Sequence, residues 1–119
     1  ANYLAGARLP KVSTEHDAFR EAAAAVQARI DQVFAVRGGK TVTELHRRLG
    51  QVMWDHVGMA RNDAGLRRAI GEIRGLRDEF WHDVRVPGEA SNVNKNLEMA
   101  LRVADYMEFG ELLAVDALH

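Results

Sequence analysis

The 119 residues, 16 of them basic and 17 acidic, are enough for one domain with its own hydrophobic core and too few for two. Balanced charge disfavours nucleic acid and anionic membranes as partners, and no apolar run approaches the roughly 20 residues that span a bilayer. The absence of cysteine excludes a disulfide framework, a thiolate metal site and a cysteine nucleophile.

The first predicted element is the end of a helix followed by a connector. Residues 2–5 have the pattern of a last helical turn ended by Gly6, and Pro10 favours an extended conformation over residues 7–12. The chain starts on Ala1 without a signal-peptide block, which predicts a processed protein or an excised piece. We therefore divide the sequence into a connector from a missing preceding domain, residues 1–12, and a helical domain, residues 13–119.

A long amphipathic helix is predicted next, over residues 14–36. Ser13 or Thr14 can cap its N-terminus, and the Gly38-Gly39 pair predicts its end. Its apolar side chains recur at alternating steps of four and three, which is the period of one helix face. This stripe consists of Phe19, Ala23, Val26, Ile30 and Val33, with Phe34 beside it.

Two further helices follow in the pattern. Thr41 and Glu44 have the spacing of a capping box, and the helix that they begin is predicted to end at Gly58. Its stripe consists of Val42, Leu45, Leu49, Val52, Met53 and His56. Asn62 can cap the third helix. The predicted buried face of that helix consists of Leu66, Ala69, Ile70, Ile73, Leu76 and Phe80.

The last helix is predicted to start at Ser91 or Asn92, after a loop over residues 84–90. At about 100° per residue it is apolar on two nearly opposite sides. One side consists of Leu97, Leu101, Ala104, Leu112 and Val115. The other side consists of Met99, Val103, Tyr106, Gly110, Leu113 and Ala117. Because a helix apolar on two sides lies between two layers, we expect one side to face a part of the protein outside this chain, or to give weak self-association.

The predicted fold is all-α. No run alternates between apolar and polar residues, so no strand is expected. Short connections favour antiparallel neighbours, and we predict an antiparallel three-helix bundle of the spectrin-repeat type, preceded by one further long helix.

Candidate metal ligands are sparse. Glu79 and His82 form a Glu-x-x-His pair, the spacing found in ferritin-like di-iron bundles, but the sequence holds no second pair. We therefore favour a solvated Glu79 beside a histidine in the last helical turn. We expect His46 on the surface and His56 at the boundary of the core. The remaining histidines are His16 and His119. Neither has metal-ligand spacing to the other, or to the histidines named above.

No catalytic constellation emerges from the residues. Gly-x-Ser-x-Gly, Gly-x-Gly-x-x-Gly and Walker patterns are absent. A set of arginines on the third helix and just before it is expected to form a solvated or subunit-facing surface rather than an anion site: Arg61, Arg67, Arg68, Arg74 and Arg77. We predict no catalytic, cofactor-binding or metal-binding residue within this chain.

Residues 50–80, GQVMWDHVGMARNDAGLRRAIGEIRGLRDEF, resemble the C-terminal helical domain of the flavoprotein subunit of succinate dehydrogenase and fumarate reductase. The similar features are a Gly-Met-x-Arg turn at residues 58–61 and the long striped helix after it. The final helix, NLEMALRVADYMEFGELLAVDAL, and the initial NYLAG with its Pro-containing connector are also similar to the family, most closely to the variant paired with menaquinone. The family's basic Arg-x-Glu-Ser segment would follow His119.

The resemblance implies the role of a supporting domain. In the family, the intact subunit carries FAD, interconverts succinate and fumarate, and passes electrons to an iron-sulfur subunit. The flavin fingerprint and the catalytic His and Arg belong to preceding domains, so this chain would pack on the flavin domain near the iron-sulfur partner. The resemblance also implies a cytoplasmic location, peripheral on the inner membrane through the intact complex.

Two alternatives stay open on sequence grounds. The same helical domain is shared by aspartate oxidase and other related flavoproteins, which the substrate residues of the missing domains would separate. A free-standing helical interaction module, binding a partner through its last helix, belongs to a different class. A reading frame that begins near residue 1 and ends near residue 119 would favour that module.

Overall fold

The computed structural model describes Tyr3, Gly6, Ala7 and residues 12–119. The elements of the described chain, in order, are α1 (Asp17–Ala35), β1 (Lys40–Thr41), α2 (Val42–Val52), a π-helical turn (Met53–Val57), α3 (Asp63–Asp83), β2 (Val84–Arg85) and α4 (Lys95–Asp116). The all-α prediction is confirmed. The spectrin-repeat type of bundle and the division at residues 12 and 13 stay predictions.

Two helix starts lie where their capping residues predict them. The Thr41 hydroxyl accepts the backbone N–H of Glu44 at 3.2 Å and so begins α2. The Asn62 side chain accepts the N–H of Gly65 at 2.9 Å and begins α3. Each cap satisfies an amide that would otherwise have no intrahelical partner.

The other two helices start later than predicted. The ring of His16, rather than Ser13 or Thr14, accepts an α1 amide, that of Ala18 at 3.2 Å. The predictions of Ser91 or Asn92 as the start of the last helix are also wrong, because Asn94 caps α4.

The Asn94 cap also explains the longer loop before α4. Its side-chain oxygen accepts the amides of Asn96 and Leu97 at 2.9 and 3.2 Å. Its NH₂ group donates to the carbonyl of Pro87 at 3.1 Å. One side chain therefore starts the helix and ties back the loop that precedes it.

At the N-terminal end the described residues are few. Tyr3 and Gly6 are helical, and the Ala7 N–H donates to the Tyr3 carbonyl at 2.9 Å. This agrees with a helical turn ending near Gly6. Most of the predicted connector, residues 8–11, lies outside the described residues.

A small parallel sheet corrects the prediction that no strand forms. Lys40 pairs with Val84 and Thr41 pairs with Arg85. Because β1 leads directly into α2 and β2 directly follows α3, this pairing sets the start of α2 beside the end of α3. The two helices therefore run antiparallel, as the sequence predicts.

The core lies where α2, α3 and α4 meet. The predicted face of α3 is confirmed, since its members are buried except for the half-buried Ile70. The largest side chains that are fully buried are Phe80, Leu45, Ile73, Met107, Val33, Val84 and Val103. No buried polar side chain interrupts the core of the described chain, so it is held by apolar packing alone.

The apolar surface of α4 differs from the prediction of two opposite sides. The buried residues form a single stripe that lies between the two predicted sides: Ala100, Val103, Ala104, Met107, Gly110 and Ala114. Leu97, Leu101 and Met99 are only half-buried on its flanks. The predicted sides thus flank one buried stripe, and their members Leu112, Tyr106 and Leu113 are exposed, contrary to the prediction. The alanines and Gly110 of the stripe allow the neighbouring helices to approach closely.

Helix α1 is attached to the rest at one end. Val33 is buried and Ile30 is half-buried, whereas Phe19 and Val26 keep 50% and 59% of their surface exposed. The radius of gyration is 18.7 Å, against about 13.5 Å for a compact domain of this length. The first two-thirds of the α1 stripe therefore extends beyond the core. No described helix is both long and apolar enough to cross a membrane.

Candidate interaction surfaces

Glu79 lies at the centre of an ion cluster that joins α3 to β1 and to the middle of α2. It accepts a hydrogen bond from Arg48 at 2.7 Å and pairs with Lys40, and its side chain is 22% exposed. The prediction of a solvated Glu79 is therefore wrong. Both cations are distant in sequence, so the spacing of the residues gave no signal for this contact.

The cluster also fixes the charge of Glu79. Hydrogen bonds from Arg48 and then from Lys40 lower the pKa of the Glu79 carboxyl to about 2, in spite of partial desolvation. A general acid or base works best with a pKa near the operating pH. Glu79 therefore stays ionised near neutral pH and acts as a structural anion.

A cleft of about 500 Å³ opens beside this cluster, between α2 and α3. Its lining residues are Arg48, Gln51, Val52, Asp55, Glu72, Gly75, Leu76 and Glu79. Arg48 is engaged by Glu79, and the Gln51 amide donates to Asp55 at 2.8 Å. The cleft therefore combines short polar bridges with an apolar lining from Val52 and Leu76, and its titratable lining groups are the guanidinium of Arg48 and carboxylates, with no hydroxyl, thiol or imidazole.

The Glu79–His82 pair does not form a metal site. The Nδ1–H of His82 donates to the carbonyl of Asp78 in its own helix at 2.6 Å, while Glu79 is bound to cations. In the described residues, no group of three or more His, Asp and Glu side chains could hold a metal ion.

The other histidines are separate from one another. His46 is exposed, as predicted, and its ring lies 5.9 Å from the ring of Tyr106. His56 is half-buried, also as predicted, and His119 is exposed at the chain end. His16 serves as the cap of α1.

Three of the five arginines predicted as a surface set are bound by carboxylates. Arg67 pairs with Asp63 at 2.9 Å within α3. Arg74 and Arg77 hold Glu111 of α4 at 2.6 and 2.8 Å, and this carboxylate is only 14% exposed. The pKa of Glu111 is lowered, chiefly by the hydrogen bond from Arg74.

Sequence reasoning missed Glu111. A single acidic residue at the edge of the apolar stripe of α4 was the available signal. The remaining members of the arginine set, Arg61 and Arg68, are exposed.

Exposed apolar side chains mark three surfaces. The α1 stripe carries Phe19 and Val26. Trp54 in the π-helical turn and Met59 just after it are 83% and 104% exposed, and they line a small hollow. The third surface lies on α4 beside α2, and its exposed apolar side chains are Tyr106, Phe109 and Leu113. Exposed large apolar groups in clusters are typical of surfaces that other parts of an assembly cover.

The described residues do not fit FAD. Dinucleotide sites use a glycine-rich turn and the free amides of a helix N-terminus to hold the pyrophosphate. In this chain, a side chain already accepts a first-turn amide at the start of each of the four described α-helices. These capping side chains belong to His16, Thr41, Asn62 and Asn94.

Comparison with known proteins gives one match. A family model described as "Fumarate reductase flavoprotein C-term" matches residues 46–119. This range contains most of α2, the π-helical turn, α3 and α4. No curated protein and no solved structure matches the chain.

Proposed function

The chain belongs to the family of fumarate reductase flavoprotein C-terminal domains, and we propose that it is the supporting helical domain of a succinate dehydrogenase or fumarate reductase flavoprotein subunit. In this proposal the intact subunit is an oxidoreductase that interconverts succinate and fumarate through FAD bound by its other domains. It passes electrons to an iron-sulfur subunit. The observation that carries the proposal is the family match over residues 46–119.

The arrangement of the described residues supports a structural role. Glu79 joins α3 to α2 through Arg48 and to β1 through Lys40, and Glu111 joins α4 to α3 through Arg74 and Arg77. Together with the continuous apolar core, these cross-links join the three helices into one packed unit. A packed unit of this kind suits the support of neighbouring domains and takes no part in the chemistry.

The α1 stripe is the surface that we assign to the flavin domain. Phe19 and Val26 lie at helical spacing on one face, and both are about half exposed. Burying such a side chain completely from water is worth about 1.5–3 kcal/mol, so covering the exposed half of each against a partner contributes roughly half of that. The Trp54 and Met59 surface, at the opposite end of α2 from the β1–β2 pair, is available to the iron-sulfur subunit. The complex would then lie peripherally on the cytoplasmic face of the inner membrane.

The assignment is tested by comparing one substitution in two settings. Val26→Asp should leave the melting temperature of the 119-residue chain nearly unchanged, because residue 26 is exposed there. In the intact subunit the same change should lower the melting temperature by several degrees, because it sets a carboxylate in an apolar contact. Ala28→Asp, on the far side of α1 and also exposed, is the matched control and should be neutral in both. An equal effect of Val26→Asp in both settings would contradict docking through α1.

Activity provides the second test. The intact subunit should contain FAD and reduce a dye with succinate, whereas the 119-residue chain should show neither flavin absorbance nor turnover. Aspartate in place of succinate as the active substrate of the intact subunit would assign the domain to an aspartate oxidase. Bound flavin on the 119-residue chain alone would overturn the proposed division of labour.

A further inference from the structure

One face of α4 carries a pattern that the supporting role does not use. Five exposed residues follow one another at steps of four, three, four and three, which we call the α4 seam: Arg102, Tyr106, Phe109, Leu113 and Asp116. Steps of four and three repeat every seven residues, the period at which one helix packs along another. The seam therefore has the spacing of a helix-pairing surface.

The seam is apolar in the middle and charged at its ends. Phe109 is 57% exposed, Tyr106 is 42% and Leu113 is 40%. A row of exposed apolar groups of this size is typical of a surface that a further contact covers. The open space beside them is a groove of about 210 Å³ that reaches α2, and Gly50 in its wall has no atom within 4 Å of where a Cβ would stand.

The charges are arranged symmetrically about Phe109. Arg102 lies seven residues before it and Asp116 seven residues after it, so both share its face of the helix. If two α4 helices pack antiparallel with the Phe109 residues opposite one another, each Arg102 faces the Asp116 of the other chain. A two-fold contact repeats this pair, so the seam is complementary to itself.

The neighbouring charges do not oppose this pairing. Asp105, at the edge of the seam, is held by Arg29 of α1 at 2.6 Å. Arg102 pairs with Glu98 one turn away, and both side chains are more than half exposed. An exposed pair of this kind contributes little, so Arg102 can exchange Glu98 for a carboxylate of a second chain.

We propose that the α4 seam is a self-association surface, through which two copies of this chain pack their α4 helices antiparallel about Phe109. The contact is small, involving one helix from each copy, so it is weak and concentration-dependent. It uses a surface distinct from the α1 stripe and does not depend on the proposed function.

Sedimentation equilibrium of the 119-residue chain tests the surface. The apparent mass should rise from one chain towards two as the concentration increases through a range on the order of 10 µM to 1 mM, where small interfaces dissociate. Phe109→Asp should weaken association by about tenfold or more, because it sets two carboxylates at the two-fold axis. Phe19→Asp is the matched control, since Phe19 is similarly exposed, at 50%, on α1, and it should leave association unchanged.

Charge reversal tests the antiparallel arrangement. Arg102→Glu alone and Asp116→Lys alone should each weaken association, because each variant opposes like charges twice. An equimolar mixture of the two variants should associate as strongly as the unchanged chain, since every pair across the contact is then of opposite charge.

Three results would overturn the proposal. The first is a single-chain mass at every concentration. The second is loss of association by Phe19→Asp with none by Phe109→Asp, which would move the contact to α1. The third is a mixture of Arg102→Glu and Asp116→Lys that associates no better than either alone. Circular dichroism of each variant should match that of the unchanged chain, because all four positions are exposed.

Discussion

Gly38 donates its backbone N–H to the carbonyl oxygen of Val84 at 3.0 Å, and the backbone of Asp83 fills the space where a side chain at residue 38 would begin. The next amide, that of Gly39, donates to the Asp83 carboxylate at 2.8 Å. The glycine pair after α1 therefore does more than end a helix. It allows the connection to α2 to lie directly against the end of α3.

Gly38→Ala should destabilise the chain by about 1–3 kcal/mol, the usual cost of forcing atoms into a packed site. The added methyl group would overlap the Asp83 carbonyl group, which belongs to the backbone and cannot move away as a side chain can. Gly71→Ala is the control, because nothing lies within 4 Å of a Cβ at that position in α3. It should stabilise the helix by about 0.5–1 kcal/mol. Urea unfolding measures both, and effects of the same sign would contradict the close approach at Gly38.

Glu79→Gln should reduce stability in a pH-dependent way. The carboxyl has a pKa of about 2 in the folded chain, against an ordinary value of 4.5. A carboxyl whose pKa is lowered by folding contributes stability above its unfolded pKa, and the contribution is lost as the pH falls through the folded pKa. The stability difference between the unchanged chain and the variant should therefore be full above about pH 5 and should shrink steadily towards pH 2.

The control for this pH series is Glu108→Gln. Glu108 is exposed on α4, and within the described residues it takes part in no ion pair, so its replacement should have a small effect throughout. Thermal melts of the three chains between pH 2.5 and pH 7 provide the comparison. A Glu79→Gln deficit that stays constant over this range would exclude an ionised, cation-bound carboxylate.

Ile73→Ala should cost about 2–5 kcal/mol, because its side chain is fully buried and its removal leaves a cavity. Leu113→Ala should cost much less in the 119-residue chain, since Leu113 is 40% exposed. Leu101→Ala should fall between them, as Leu101 is half-buried rather than central. The midpoints of urea unfolding test this order, provided that the dependence of the unfolding free energy on urea concentration is the same for all variants. Equal losses of unfolding free energy at all three positions would contradict a single core stripe on α4.

Asn94→Ala should cost about 1 kcal/mol or more, the usual effect of removing an N-cap. It also removes the tie to the Pro87 carbonyl. Asn92→Ala, two residues earlier in an exposed position, is the matched control and should be nearly neutral. A larger loss of stability from Asn92→Ala than from Asn94→Ala would place the start of α4 at residue 92.

Local chemistry made part of the fold predictable. The Thr41 cap, the Asn62 cap and the period of the α3 stripe each depend on neighbours a few residues away in sequence, and these three predictions are confirmed. The start of α4 was not predictable in the same way, because Ser91, Asn92 and Asn94 are all acceptable caps. Asn94 is the one that also binds Pro87, and that contact depends on the path of the loop.

Long-range contacts account for what the sequence could not predict. The β1–β2 pair joins two segments of two residues each, too short to show any alternation. The partners of Glu79 and Glu111 lie in other secondary-structure elements, and no spacing rule relates them. For the candidate surfaces, the period of the α1 stripe predicts which face is apolar. It does not predict that Phe19 and Val26 lie outside the core.

The pairing of Lys40 with Val84 has a consequence for the order of folding. It closes α2, the π-helical turn and α3 into a loop whose ends meet at the β1–β2 pair. The entropy of closing a loop grows only slowly with its length, and the two antiparallel helices inside it bury each other's stripes. We therefore expect the amides of α3 to keep the slowest hydrogen exchange, and those in the first turns of α1 to exchange first. The segment that we propose docks on the flavin domain would then be the last to become ordered.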